Sequence, residues 1–193
     1  IAELLPNCNT VILDEAHQLP DTATTFFGEQ TTAGQLAELA RDAEVAARTT
    51  LSDVPGLLDA AADIAPAIRK LRLAAGDLPA KMPREIALAR EGFAEAIDEL
   101  AASVDRVSSD LVHFAERSED LASVASRAHD ASMRIARWRD ASDAPDESGE
   151  RWIRWLDVTP GGFQLHASPL SVANLFRRQL DATARAWVFT SAT

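Results

Sequence analysis

Residues 10–17 read Thr-Val-Ile-Leu-Asp-Glu-Ala-His. Residues 10–13 form a continuous run without a charged side chain, and two acids, Asp14 and Glu15, follow it directly. A run without polar alternation predicts a strand buried on both faces, as in a parallel α/β sheet. A second such run, residues 186–190, stands near the other end of the sequence and is followed by Ser191, Ala192 and Thr193. Ligands of open α/β sheets lie beyond the carboxyl ends of the strands. We therefore expect these two peptides to converge on one edge of a shared sheet.

The segment between these strands, from about Gly34 to Ala141, is dominated by Ala, Leu, Arg, Asp and Glu, which are compatible with helices. Its caps and prolines predict separate helices. The first runs from a cap at Thr31 or Thr32 to about Thr50. The second runs from Ser52 or Asp53 to Gly76, and Pro66 is expected to kink or divide it.

The strongest helical pattern opens at Pro83. Its apolar residues alternate spacings of four and three, as in a coiled-coil seam, at Phe93, Ile97, Leu100, Val104, Val107, Leu111 and Phe114. The pattern predicts a helix of about 30 residues, roughly 45 Å long. A turn near Ser118, with Ser118 as the cap of the next helix, would separate residues 84–116 from residues 118–141. Because no Gly or Pro marks that turn, one helix continuing to Trp138 is the alternative.

After a predicted loop at residues 143–149, the sequence again has the pattern of β-strands. Residues 151–158 and 162–166 flank Thr159-Pro160-Gly161 and predict a hairpin, and residues 171–180 predict a short amphipathic helix. This order indicates an α/β fragment, with parallel-type strands plus a hairpin, that carries a large inserted all-α antiparallel helical domain. We predict residues 1–30 and 142–193 as the sheet-containing part and residues 31–141 as the insertion.

Composition excludes several classes of protein. The 193 residues include one cysteine, which excludes a disulfide framework, a four-cysteine zinc site and a self-contained iron–sulfur cluster. A net charge of −11 argues against the whole surface binding nucleic acid, although a local basic strip can still do so. The apolar runs are too short for a membrane span and no leader opens the chain, so we expect a soluble, cytoplasmic protein. Both ends look cut, which predicts an excised piece of a larger protein.

The two acids after the first strand suit phosphate chemistry. A carboxylate just past a buried strand is held rigidly, and Asp14 can hold Mg²⁺ through water because Mg²⁺ needs few protein ligands. The neighbouring Glu15 can orient and deprotonate an attacking water, a role worth roughly 10²–10⁴-fold in rate. The bare pattern is weak, since any solvated strand end can carry two acids.

Longer motifs give the pattern its specificity. Asp14-Glu15-Ala16-His17 resembles motif II, the DEAH box, of superfamily 2 helicases, and Ser191-Ala192-Thr193 resembles their motif III. Over a hundred mostly helical residues separate the two motifs, and this separation is similar to that of the XPD/DinG family, where an Arch domain is inserted between them. Residues 14–20 and 166–170 also resemble the bacterial DinG/YoaA-like type.

The resemblance implies an ATP-dependent 5′→3′ DNA helicase of DNA repair or replication stress, in the bacterial cytoplasm and associated with the nucleoid. It implies that Asp14 holds the Mg²⁺ of MgATP, that Glu15 activates the hydrolytic water and that His17 couples the phosphate site to the motor. It implies that Ser191 and Thr193 link ATP hydrolysis to movement of the DNA strand. The first motor domain would be RecA-like, and the Arch would help form the passage for single-stranded DNA.

The sequence also departs from that family. It has no Gly-rich Lys-Ser/Thr phosphate loop and no second motor domain. The family's [4Fe–4S] cluster uses four cysteines that precede motif II, whereas Cys8 lies too close to Asp14 and is interpreted as a structural thiol. We therefore expect the chain alone to be inactive and to bind MgATP no better than about millimolar, because the backbone donors that cradle phosphate are missing.

Basic and aromatic residues alternate near the return to the sheet. They are Arg134, Arg137, Trp138 and Arg139, with Arg151, Trp152, Arg154 and Trp155. Such groups can neutralise phosphates and stack on the bases of a single strand. The alternative is that the tryptophans pack in the hairpin core while the arginines solvate its edge. Arg177 and Arg178 are weaker candidates for DNA contact, and His113, His129 and His166 are interpreted as structural.

A different class of function is also compatible with the sequence. An acidic helical bundle can serve as an interaction module that recruits a protein partner in repair or replication. Both functions can hold together, because an Arch can be a docking surface within a helicase.

Overall fold

A computed structural model describes most of the chain. The described residues are 8–19, 22, 26–51, 54, 56–76, 80–142, 144–145, 149–171, 173–181 and 185–191. They form two compact units. The first unit is drawn from residues 1–28, 142–153 and 168–193, and the second from residues 29–141 and 154–167.

The first unit contains a two-stranded parallel sheet. Strand β1 (Thr10–Leu13) pairs with strand β6 (Ala186–Phe189), so that Thr10 lies opposite Ala186 and Leu13 opposite Phe189. The predicted parallel strands are confirmed. The prediction that both faces of these strands are buried is wrong, because Ile12 is 66% exposed and Val188 is 43% exposed. In the described part of the chain this sheet is only two strands wide and nothing covers that face.

The second unit is built on four long helices. They are α1 (Ala33–Thr49), α2 (Leu57–Ala74), α4 (Phe93–Val112) and α5 (Glu119–Arg139), with a short helix α3 (Arg84–Leu88) before α4. Each long helix packs on the next, and α5 returns to α1. Their facing apolar residues form the core of this unit.

Cross-helix pairs show that neighbouring helices are antiparallel. Lys70 near the end of α2 pairs with Glu99 near the start of α4, while Asp63 pairs with Arg106 further along at 2.8 Å. The predicted antiparallel packing is therefore confirmed for α2 and α4. These ion pairs are exposed, so the buried apolar seam supplies most of the stability.

Two helix starts follow the predicted caps. The Thr32 hydroxyl accepts a hydrogen bond from the Gln35 backbone N–H at 3.1 Å, and the Gln35 side chain accepts one from the Thr32 N–H at 2.9 Å, which completes a capping box. Ser118 accepts from the Leu121 N–H at 3.2 Å and starts α5. The two helices that the sequence left either separate or continuous are therefore separate.

One helical prediction is wrong, and of the two outcomes predicted at Pro66 the structure excludes the division. The single helix from Pro83 to Phe114 is divided, because the chain turns after α3 and Gly92 adopts a left-handed φ of 72° before α4. Pro66 does not divide α2, which is one helix from Leu57 to Ala74. Ile64 and Ala67 on either side of Pro66 are buried in the core, and this packing offsets the lost backbone hydrogen bond.

The second unit also contains a four-stranded antiparallel sheet. Its strands are β2 (Glu29–Thr32), β3 (Ala80–Pro83), β4 (Trp152–Thr159) and β5 (Gly162–Pro169), in the order β2-β5-β4-β3. The predicted hairpin with its Pro-Gly turn is confirmed. The prediction that residues 31–141 are all-helical is wrong, because the short edge strands β2 and β3 pair with a hairpin distant in the sequence. The assignment of this insertion to an Arch domain stays a prediction.

Candidate functional site

The candidate site lies where β1 and β6 end. Because the strands are parallel and Leu13 lies opposite Phe189, the residues that follow them leave the sheet side by side. The Thr190 N–H donates to the Leu13 carbonyl at 2.9 Å, and the Ala16 N–H donates to the Thr190 carbonyl at 2.8 Å. The backbone therefore joins two peptides that are far apart in the chain.

Asp14 is held by two donors on one oxygen. Its Oδ1 accepts a hydrogen bond from the Thr190 hydroxyl at 2.7 Å and another from the Glu15 backbone N–H at 2.9 Å. These bonds, the Thr190 bond first, lower the pKa of Asp14 below its ordinary value, while the small desolvation opposes them. Asp14 is accordingly an anion at neutral pH and can attract a cation.

Glu15 occupies a strained backbone position. Its φ of 53° and ψ of 43° place it in the left-handed region, and among the described residues it is the only non-glycine residue with positive φ. The turn at Glu15 leads into a short 3₁₀ segment (Ala16–Gln18). Strain of this kind occurs often at functional sites. Here it aims the Glu15 carboxylate back toward His17, with Oε2 at 3.2 Å from Nδ1.

His17 connects the two peptides through side chains. Its Nδ1 lies 2.9 Å from the Ser191 hydroxyl and 3.2 Å from Glu15 Oε2. The tautomer decides the direction of the Ser191 contact: an Nδ1–H donates to the hydroxyl or to the carboxylate, whereas an unprotonated Nδ1 accepts from the Ser191 hydroxyl. The result is a polar chain of Glu15, His17 and Ser191 at the solvent-accessible end of the sheet.

The structure brings together four residues that the sequence singled out, namely Asp14, Glu15, His17 and Ser191. Ala192 and Thr193 lie outside the described residues. Thr190 was missed by the sequence reasoning, which treated it only as the end of a strand. The parallel pairing of the two strands was the signal that could have found it, because in that register Thr190 follows β6 as Asp14 follows β1.

The predicted basic and aromatic strip is divided by the pleat of β4. Arg154 is buried, and its Nε donates to the Arg137 carbonyl at 2.7 Å while Nη2 lies 3.5 Å from Asp140 Oδ2. Trp155 lies on the opposite face of the sheet, because successive side chains of a strand alternate. Arg154 and Trp155 therefore do not lie on one surface, and their contact with DNA stays a prediction. Arg137 forms an ion pair with Glu29 at 3.0 Å.

Trp155 takes part in an aromatic pair. Its ring stacks on His166 with centroids 4.7 Å apart and an interplanar angle of 4°, and Lys81 Nζ lies 4.9 Å from its centroid. Burial lowers the pKa of His166, and the nearby Asp157 opposes this effect. The predicted structural role of His166 agrees with these contacts. Arg151 is exposed and Trp152 half-buried.

Other classes of site receive no support from the described residues. Among them no cluster of three or more His, Cys, Asp or Glu side chains could hold a metal ion. Cys8 is a half-buried free thiol. No helix within the described ranges has the length and apolar character to cross a membrane.

Two known proteins are similar to the chain along nearly its whole length. It is 31% identical over 193 residues, 99% of the chain, to the ATP-dependent DNA helicase YoaA of Haemophilus influenzae. It is 32% identical over 195 residues to the ATP-dependent DNA helicase YoaA of Escherichia coli. The chain spans 29% of the length of each relative. No protein-family model matches the chain.

Proposed function

We propose that the chain is a segment of a DinG/YoaA-like, ATP-dependent 5′→3′ DNA helicase of repair or replication stress, running from motif II through an inserted Arch domain to motif III. One observation carries the proposal: Asp14 and Thr190 are 176 positions apart, yet a 2.7 Å hydrogen bond joins them at one sheet edge. The two relatives, both named ATP-dependent DNA helicases, support it. We also place the protein in the bacterial cytoplasm, acting on single-stranded DNA.

The donor set at this edge fits magnesium. Mg²⁺ prefers oxygen ligands, keeps most of its waters and is commonly bound through one or two carboxylates plus the substrate's phosphates. Asp14 is an exposed carboxylate of lowered pKa, and its Oδ1 is already anchored. We propose that Asp14 holds Mg²⁺ through water. When bound, the ion would neutralise charge on the phosphate oxygens.

Glu15 is the proposed base for the hydrolytic water. It adjoins Asp14 in the chain, and its carboxylate lies 3.2 Å from His17 Nδ1 at the same end of the sheet. His17 would keep that carboxylate oriented through the 3.2 Å contact while its 2.9 Å contact with Ser191 passes any displacement to the second peptide. Coupling of hydrolysis to DNA movement through Ser191 and Thr193 is part of the proposal.

Two functional parts that helicases of this family use, the phosphate-binding loop and the iron–sulfur cluster ligands, are not supplied by this chain. The sequence has no Gly-rich Lys-Ser/Thr loop to cradle the phosphates, so we propose that the chain alone neither hydrolyses ATP nor unwinds DNA. One cysteine cannot ligate a [4Fe–4S] cluster, and these residues therefore do not fit that group.

Glu15→Gln in the longer helicase tests the proposal. The substitution removes the base while it keeps size and hydrogen bonding, so we expect ATP hydrolysis to fall by roughly 100-fold or more. Binding of ATP and of single-stranded DNA should persist. Glu116→Gln, which neutralises an exposed acid beyond α4, is the matched control and should leave hydrolysis unchanged.

The two outcomes separate the candidate functions. If Glu15→Gln hydrolyses ATP at the rate of the parent, Glu15 is not the base and the proposal fails. An interaction module without enzymatic function predicts instead that neither the parent nor Glu15→Gln hydrolyses ATP, while both bind the same protein partner.

A further inference from the structure

Thr190 touches the first peptide at three successive points. Its N–H donates to the Leu13 carbonyl at 2.9 Å, its carbonyl accepts from the Ala16 N–H at 2.8 Å, and its hydroxyl donates to Asp14 Oδ1 at 2.7 Å. The two backbone bonds continue the parallel pairing one residue beyond the strands. They place the threonine side chain beside the carboxylate of Asp14.

We infer that Thr190 is a positioning residue that orients the Asp14 carboxylate for a divalent cation. The inference rests on the proposed function. The inferred role of Thr190 is exerted through Asp14, because its hydroxyl donates to Oδ1 of that residue.

The two oxygens of Asp14 have different surroundings. Oδ1 accepts hydrogen bonds from the Thr190 hydroxyl and the Glu15 N–H, whereas the described parts of the chain give no hydrogen bond to Oδ2. Anchoring one oxygen from two directions restricts rotation of the carboxylate. It leaves the lone pairs of Oδ2 for a cation or for the waters of that cation. Hydrogen-bonded partners that orient metal-binding side chains typically change metal affinity or activity by roughly 10–100-fold when removed.

The side chain of Thr190 can be changed without loss of its backbone bonds. Valine has the same shape and the same preference for extended backbone but no hydroxyl. Serine keeps the hydroxyl. Thr10→Val is a matched control, because Thr10 is an exposed residue of the same sheet and lies opposite Ala186, at the far end from Asp14.

The experiment compares Thr190→Val, Thr190→Ser and Thr10→Val in the longer helicase. One measurement is Mn²⁺ binding in the presence of a non-hydrolysable ATP analogue, followed by electron paramagnetic resonance. The other is the rate of ATP hydrolysis as a function of Mg²⁺ concentration.

We expect Thr190→Val to weaken Mn²⁺ binding and to raise the KM for Mg²⁺ by about tenfold. This is the low end of the range for such partners, because the site is exposed. The kcat at saturating Mg²⁺ should change less than about twofold, because excess cation compensates for weaker binding. Serine should restore the parent values and Thr10→Val should retain them.

Three results would overturn the inference. They are an unchanged Mg²⁺ and Mn²⁺ dependence in Thr190→Val, an equal loss in the serine variant, and a fall in kcat without a change in KM for Mg²⁺. Failure of the proposed function is recognised separately, because the parent protein would then hydrolyse no ATP. Mn²⁺ binding by the variants would still decide the role of Thr190.

Discussion

Replacing Arg154 by alanine removes a charged side chain that the sequence offered as a DNA contact and that the structure buries. The Arg154 side chain is 7% exposed, and its guanidinium lies between the Arg137 carbonyl and the Asp140 carboxylate. The variant should therefore lose stability of the helical unit, whereas a DNA contact would lose affinity for DNA with little change in stability.

The magnitude follows from the two contacts. A hydrogen bond from a charged donor contributes about 1.5–3 kcal/mol, and the Nε bond to the Arg137 carbonyl at 2.7 Å is short and partly buried. Breaking a fully buried ion pair costs about 3–5 kcal/mol, but the Asp140 side chain is 51% exposed and water can solvate it after the substitution. We therefore expect a loss of about 2 kcal/mol of unfolding free energy.

Urea unfolding of the 193-residue chain, followed by far-UV circular dichroism, measures this loss. With an m value of about 2 kcal/mol/M, the midpoint should fall by about 1 M. Arg151→Ala is the matched control, since Arg151 is exposed and its removal should change stability by less than about 0.5 kcal/mol. In the longer helicase, Arg154→Ala should keep the parent's salt dependence of single-strand binding. Equal midpoints for the two variants, or a flattened salt dependence for Arg154→Ala, would refute this reasoning.

Two further predictions concern pH and packing. Because burial lowers the pKa of His166 below its unfolded value of about 6.5, the unfolded chain binds the proton more readily, and stability should fall as pH decreases from about 6.5 through the lowered pKa. Urea unfolding at a series of pH values should show that His166→Gln loses less unfolding free energy at low pH than the parent chain does. An identical loss in the two proteins would contradict the lowered pKa of His166. Leu100→Ala should cost about 3 kcal/mol in the same assay because Leu100 is 0% exposed within the bundle. The control Leu73→Ala, at 73% exposure, should cost less than about 0.5 kcal/mol, and similar losses for both leucines would count against the observed core.

Local chemistry explains which parts of the fold could be predicted. The cap at Thr32, the turn at Ser118 and the Pro-Gly hairpin depend on residues within a few positions, so the sequence predicts them directly. The edge strands β2 and β3 were not predicted. Strands of four residues are too short to show a periodicity, and these two form only because a hairpin distant in the sequence offers a partner.

The candidate site divides in a similar way. Asp14, Glu15 and His17 were found from sequence because they form one continuous motif after an apolar strand. Thr190 has no such motif, and its place beside Asp14 follows from the parallel register, in which a shift of one residue would point the side chain to the other face.

By itself, then, the sequence determined the type and order of the main helices and strands and the two peptides that carry the candidate chemistry, since apolar spacing, caps and motifs are properties of neighbouring residues. Only the tertiary structure decided that Arg154 faces the interior while Trp155 lies on the opposite face, and that Thr190 holds Asp14. These outcomes depend on strand register and on burial. Both are decided by contacts between segments far apart in the chain, whose energies no local pattern records.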